Sequence, residues 1–527
     1  MAAIVTQNFR LRAAKQFVAD IEAAANNYYL FVGRSSPWTD DNTPDAPFDN
    51  TYSHTTNVWQ NMTSLKKLAT TDLQFAAPRY QWISGTTYAE YDDRDSTLES
   101  KKFYVITSEF KVYKCIIAPP ATASTVQPTQ TLTAPTAESD GYTWKYMYTL
   151  TVADSEKFLT TSYLPVKTVS LGGQGTVLGA VSSSTTVILS EINSKIHTGM
   201  TVSGTGISGS PTVLSIAGSV LTLSAAQSIS NAVILTFAYA TDGAAELALS
   251  EGDYAQYLNQ KASRDVANAA GIERIVISNG GGDYSAKPTV TITGDGTGAT
   301  VSAGNITMSG SGSTQSVASI TLNNKGNDYT FADISFSTGS ASANATIAPP
   351  TGHGTDPVSE LGGFFVGINT QLSGTGGAGA DLTVGNDFRQ ISLIKNPTNY
   401  GTTTISTAST LKAMSYLDFA DGVTVANYTV DELLVGGTSG AQAYVASIDS
   451  GTGFIYYTQN SKTGYGNFAN GETVTGQTSS TAGALHTSAN GNPEVNRSSG
   501  EMLFLENRNP INRTTTQIED IKVIIEF

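Results

Sequence analysis

Residues 280–300 read GGGDYSAKPTVTITGDGTGAT. Three chemistries could use such a stretch: a phosphate-cradling loop, a calcium turn, or the corner of a β-hairpin. A phosphate loop needs glycines where backbone N–H groups approach the ligand, and a helix must follow it. Here alternating Val and Thr follow, which is strand periodicity. The stretch also has an echo. IVISNGGGDYSAKP from Ile275 and ITLNNKGNDYTFAD from Ile320 align at a constant offset of 45 residues. Ile277 lies over Leu322, Asn279 over Asn324, Gly281 over Gly326, Asp283-Tyr284 over Asp328-Tyr329, and Ser285 over Thr330. The second copy carries Lys325 and Asn327 in place of Gly280 and Gly282. What both copies keep is a turn that needs permissive φ and a tyrosine able to pack on a hairpin, not a phosphate cradle. TGDGTGAT offers Asp295 but lacks the ligand ladder of a calcium loop, so a tight turn is expected there too.

Outward from this repeat the chain reads as short strands. TTVILS, GMTVSG, PTVLSIAG, SVLTLS and AVILTFAY, between 176 and 240, are evenly spaced between Gly/Ser turns, as in a small sandwich or barrel. A weaker duplication pairs DELLVGGTSGA (431–441) with GETVTGQTSST (471–481), setting Glu432 over Glu472, Gly436 over Gly476 and Thr438-Ser439 over Thr478-Ser479. Towards the N-terminus, YYLFVGRSSPW, KFYVITSEFKVYKCIIAPP and DGYTWKYMYTLTV read as strands, followed by a linker-like LGGQG at 171–175. Helices are expected at 8–26, with an apolar stripe of Phe9, Ala13, Phe17 and Ile21, and at 253–270, ended by Gly271. The expected fold is therefore mainly β with some α (α+β): antiparallel barrels or sandwiches with an N-terminal helix and inserted β-repeat modules. The expected divisions are an N-terminal α+β region at 1–170, an inserted sandwich-like domain at 171–242, a helical core segment at 243–270, the duplicated hairpins at 271–350, a core β region at 351–420, a second duplicated module at 421–493 and C-terminal core strands at 494–527.

A chain of 527 residues is long enough for several cores. Only 14 % of residues are charged, and tyrosine (24) and phenylalanine (19) are frequent, which argues for folded β structure over disorder. A net charge of −15 repels phosphate backbones, so neither nucleic acid nor an anionic membrane is an expected partner. Cys115 is the single cysteine, which fits folding in a reducing cytoplasm. No secretory signal is expected from MAAIVTQNFR, and the apolar run at 232–240 is too short to span a bilayer.

The catalytic templates come up short. His54, His197, His353 and His486 are far apart, and no HExxH, GxSxG or His/Cys metal spacing occurs. Cys115 lies in the apolar VYKCII and reads as a buried structural thiol. YAEYDDRDSTLES holds Glu90, Asp92, Asp93, Asp95 and Glu99; such carboxylates could serve glycoside hydrolysis, but a solvated loop is the expected reading. No catalytic, cofactor-binding or metal-binding residue is assigned, and no enzyme activity is expected.

Motifs at the two ends carry a resemblance. SGEMLFLENRNPI (499–511) resembles the C-terminal signature of the baseplate wedge subunit of T-even-like contractile phages, the gene product eight family. DFRQISLIKNP (387–397) resembles the family's other signature through Phe388, Arg389, Gln390, Ile391, Ser392, Ile394, Asn396 and Pro397. AIVTQNFR and FVGRSSPW resemble its opening through Phe31, Gly33, Arg34, Ser35, Pro37 and Trp38, and VYKC and DGYTWKYMY match in style and order. The likeness covers roughly 1–170, 355–400 and 494–527. The segments 176–240, 271–350 and about 421–492 then look like insertions of the kind seen in phages of cyanobacteria and other marine bacteria. The resemblance implies a non-enzymatic virion protein of the tail baseplate, without cofactor, assembled in the host cytoplasm. It implies a homodimer that bridges inner wedge proteins to peripheral fibre-bearing ones. In the C-terminal motif, Met502, Phe504 and Leu505 read as packed strand beside a polar edge of Glu506 and Arg508; Met502 and Phe504 are expected in the core, and Arg508 is left as a candidate buried ion-pair or contact residue. The alternative function is a receptor-binding, glycan-binding or depolymerase-type tail protein.

Overall fold

The computed structural model describes residues 4–23, 26–47, 57–167, 172–190, 196–239, 270–372, 387–460, 462–487, 491–512 and 518–527, with Gln256, Asn259 and Ala262 besides. The chain is 44 % strand and 10 % helix, in several antiparallel sheets with an N-terminal helix, which makes it a β-rich α+β protein. Most of the helix expected at 253–270 lies outside the described residues; Gln256, Asn259 and Ala262 within it are helical.

Three sheets form the part that carries the N- and C-terminal strands. The first has the order Thr410–Lys412, Met62–Lys67, Tyr28–Gly33, Asp387–Lys395, Glu501–Asn512. The second runs Glu519–Glu526, Phe365–Leu372, Leu73–Pro78, Tyr163–Pro165, and the third Tyr104–Ile106, Lys111–Ile117, Thr143–Thr149, Thr136–Ala137. The second sheet is the middle layer. Val366 and Ile368 pack with Leu30, Val32 and Ile391 of the first sheet, whereas Phe365 packs with Tyr104, Val112 and Tyr148 of the third. A strand covered on both faces is buried nearly continuously rather than at alternate positions. Phe365–Leu372 is buried at every position but Gln371.

The N-terminal helix, Gln7–Glu22, is capped by Thr6, whose hydroxyl accepts the Phe9 N–H. It buries Leu11, Ala14 and Ile21, with Phe17 and Val18 packed beside them. Phe9 is 65 % exposed, so the expected stripe is corrected at its N-terminal end. Steps of four residues overshoot a helical turn by about 40° each, and only the mixed 3/4 spacing keeps one face on the core.

Each of the three outlying β regions has its own hydrophobic cluster. Between 172 and 239, two three-stranded sheets enclose Val187, Val202, Leu221, Leu235 and Phe237. Gly172–Thr176, which overlaps the linker expected at 171–175, is a strand paired with Ile234–Ala238; Gly175 lies where a Cβ would strike the Leu189 side chain. Between 270 and 348, a six-stranded sheet and a two-stranded ribbon enclose Ile272, Ile306, Tyr284 and Tyr329. Between 415 and 485, a six-stranded sheet encloses Leu417, Leu434, Val445 and Val474.

Asp283 and Asp328 both have φ of 62°, and Gly281 and Gly326 have φ of 65° and 63°. Each aspartate takes a left-handed turn that lets the following tyrosine drop into the core. Tyr284 and Tyr329 are 2 % and 5 % exposed, and their hydroxyls accept the N–H groups of Ala341 and Ala299. Tyr284 lies against Gly339 and Tyr329 against Gly296, where any Cβ would clash. The stretch is a tyrosine-locked corner.

Candidate functional site

The segments that carry the resemblance are far apart in sequence and adjacent in space. Phe31 pairs with Ser392, and Ser392 pairs with Leu505, so all three motif strands are neighbours in the first sheet. Their polar residues interlock at one end of it. Arg389 is 3 % exposed and grips Asp41 in a two-pronged ion pair, both N···O distances 2.9 Å. It also donates to the Ser35 carbonyl at 2.6 Å and to Asp387 at 3.2 Å. Such a fork-on-carboxylate geometry is the strong form of the ion pair. Asp41 accepts the Trp38 N–H, and Trp38 Nε1 donates to the Arg508 carbonyl at 2.9 Å. The Arg34 guanidinium covers the Trp38 ring at 3.6 Å. Gln390 donates to Asn507, and Asn507 to the Asp45 carbonyl. Gly33 is required because a Cβ there would lie 2.5 Å from the Asn61 carbonyl oxygen. The Arg508 side chain meets Glu506 at 3.5 Å with both side chains about two-fifths exposed, so it is a weak surface pair. Met502 and Phe504 are partly buried against two different clusters, with Leu503 bulged out between them at 42 % exposure.

The acid-rich segment is more structural than a solvated loop. Glu90 pairs with Arg274 at 2.9 Å and accepts the Ala118 N–H. Asp93 accepts the Ile347 N–H, Asp95 pairs with Lys101, and Asp92 caps the Arg94 N–H. Arg274 also donates to the carbonyls of Tyr91 and Ile116. The segment therefore staples the 270–348 region to the third sheet, and each of these carboxylates is committed to its own partner rather than to a second carboxylate. Asp295 accepts the Thr330 hydroxyl and the N–H groups of Thr330 and Phe331, which hold its pKa down to about 2; it closes a turn.

Sequence reasoning missed a buried charge cluster at the same joint. Lys114 and Lys145 face each other across paired strands and are 0 % and 1 % exposed. Lys114 Nζ lies 2.9 Å from Glu360 and 4.1 Å from the Tyr91 ring centre. Burial pulls the pKa of Lys145 down to about 8, with Glu360 opposing and Lys114 adding to the shift. His353 lies beside them, its ring nitrogens 3.7 Å from Glu273 and 3.9 Å from Glu360 without a hydrogen bond to either. Burial, reinforced by the surrounding cations Lys114, Lys325, Lys145 and Arg274, holds it well below the ordinary histidine range, and so neutral. The available signal was the lysine in each of KVYKC and TWKYMY at a position whose strand neighbours are core residues.

The remaining chemistry-bearing residues stay dispersed. Cys115 is buried, its thiol facing the Ile117 carbonyl, and burial pushes its pKa up. His54 lies outside the described residues. His486 sits in the third β region, where its carbonyl accepts from Gly471, and His197 in the first. Among the described residues no group of three His, Cys, Asp or Glu side chains could hold a metal ion, and no helix is long and apolar enough to cross a membrane. No protein-family model matches the chain, and no curated protein matches it.

Proposed function

We propose that the chain is a structural subunit of a phage tail baseplate, of the wedge type, acting without catalysis or cofactor. In this reading it assembles in the host cytoplasm and serves in the virion as a homodimer. It bridges inner wedge proteins to fibre-bearing peripheral ones and takes part in the rearrangement on host contact. The observation that carries the reading is the convergence of the resembling segments: FVGRSSPW, DFRQISLIKNP and SGEMLFLENRNPI form adjacent strands and interlock through Arg389, Trp38 and Asn507. Unrelated chance likenesses at three distant places have no reason to meet in one sheet. A load-transmitting scaffold also favours many interlocked strands and buried ion pairs over a reactive cleft, which agrees with committed carboxylates and a closed charge cluster. The test is immunogold electron microscopy of intact particles with an antibody against this chain. Gold in a ring at the distal plate of the tail is expected. Gold confined to fibre tips, or absent from particles that contain the tail, overturns the proposal.

A further inference from the structure

The 270–348 region meets the third sheet through polar contacts, its own hydrophobic cluster being confined to residues 270–347. Arg274 pairs with Glu90 and donates to the Tyr91 and Ile116 carbonyls. The Ile347 N–H donates to Asp93, and its carbonyl accepts the Tyr91 hydroxyl. His353 lies on the segment that leads from this region back to the helix Pro357–Glu360. Its side chain is 7 % exposed, and neither ring nitrogen has a hydrogen-bond partner among the described residues. The ring stands edge-on to that of Tyr91, 4.9 Å between centres. Charged groups from every packed element surround it. Glu273 and Arg274 belong to the strand Ile272–Asn279, Lys325 to Asn324–Asn327, Glu360 to the short helix, and Lys114 and Lys145 to the third sheet. The two carboxylates nearest the ring are already engaged: Glu273 pairs with Lys325 at 2.7 Å and Glu360 with Lys114 at 2.9 Å. An imidazolium here would have to take a share of one of them from a lysine, inside a cluster that water does not reach. The neutral ring avoids this and leaves its two nitrogens unsatisfied instead.

We propose that His353 makes this joint a latch that acid opens: when the imidazole takes a proton, the 270–348 region comes away from the third sheet as a unit, with its own core intact. In the released state the ring meets water and titrates at the ordinary histidine value of about 6.5. In the docked state burial and the surrounding cations keep it neutral to a lower pH. The released state therefore binds the proton first. Docking is at full strength above about pH 6.5 and weakens about tenfold for each pH unit below that, until the docked value is reached. Because the cluster of the region is confined to its own residues, release exposes polar groups and leaves the tyrosine-locked corners in place.

The test follows hydrogen exchange of the full chain, corrected for the intrinsic effect of pH on exchange and resolved at the Ile347 amide, whose bond to Asp93 crosses the joint. From about pH 6.5 to about pH 5.5 the open fraction at Ile347 is expected to rise about tenfold. The paired strands Val290–Gly294 and Ala332–Phe336 are expected to keep their protection. His353→Gln cannot take the proton, and its Ile347 exchange is expected to stay flat over the same range. That variant also separates the histidine from Asp93, whose pKa burial raises. Lys325→Met, at a side chain 43 % exposed, frees Glu273 to receive the imidazolium and is expected to shrink the rise. Being at the surface, it keeps the test open if the buried substitution disturbs folding. A flat profile in the native chain, a rise retained in full by either variant, or loss of protection in Val290–Gly294 together with Ile347 overturns the proposal. The outcome is independent of where the chain sits on a particle.

Discussion

The two duplicated regions solve one assembly problem with opposite chemistry. In both, a strand of one copy pairs antiparallel with its own counterpart: Ile275 opposite Ile320, and Val435 opposite Thr475. Each pair is the same position of the two copies, so the copies face each other about a local pseudo-twofold axis. In the 270–348 region the lock is neutral. Each tyrosine fills its corner against a glycine and accepts one backbone N–H. In the 415–485 region the lock is ionic and crossed. Glu432 accepts the N–H groups of Thr478 and Ser479 and the Ser479 hydroxyl, while Glu472 accepts those of Thr438 and Ser439 and the Ser439 hydroxyl. Each glutamate also takes an N–H from its own copy, Thr429 or Ala469. Gly436 and Gly476 leave the room, since a Cβ at either would lie within 2.6 Å of a carboxylate oxygen. Both glutamates are buried, with no ion pair to a cation among the described residues, which is tolerable because backbone and serine donors converge on them. The lesson is that a duplication can be closed by shape or by charge, and only the second closure answers to pH.

The comparison can be broken most severely at Glu472. Glu472→Ala strands four donors at once and is expected to cost about 3–5 kcal/mol. Hydrogen exchange should show protection collapsing in both Leu433–Gly436 and Thr473–Gly476, because the clasp is crossed, while Ile272–Asn279 is unchanged. Loss confined to one copy would refute the crossed arrangement. Acidification comes next. Burial raises the pKa of Glu432 and Glu472, but the backbone and serine donors outweigh it and hold both below the ordinary value of 4.5. A folded-state pKa below the unfolded one gives stability that is full above about pH 4.5 and is lost as pH falls through the lower value. Exchange protection of the 415–485 region should therefore fall on acidification below about pH 4.5. That of the tyrosine-locked region should change less, since the carboxylate of its Asp295 turn is exposed and contributes little. Glu432→Gln with Glu472→Gln should flatten the difference. The smallest effect belongs to Tyr284→Phe, which keeps the ring in its corner and removes one hydrogen bond, at about 1 kcal/mol. A much larger loss would mean that the lock is polar after all.

Much of the fold was legible because its signals are local. The Gly-Asp-Tyr turns, the strand runs at 104–117 and 143–149, and both duplications follow from period-two alternation and from residues that tolerate positive φ. The helix face was legible only in part, since Phe9 and Leu11 are equally apolar and the sequence does not say which one meets the core. Of the candidate site, the motif residues were visible and their contacts were not: Arg389 with Asp41, and Trp38 with Arg508, join residues hundreds of positions apart. Nothing in the local pattern singles out Lys114 or Lys145, which sit in strands whose partners across the sheet are fixed only by the fold. The sequence by itself determined a β-rich chain of repeated strand-and-turn units with an acidic surface, because torsional preference and side-chain alternation act between near neighbours. Only the tertiary structure decided which copy's glutamate clasps which turn and which lysines lose water. Those outcomes depend on burial and on fields from distant segments, and no local pattern encodes either.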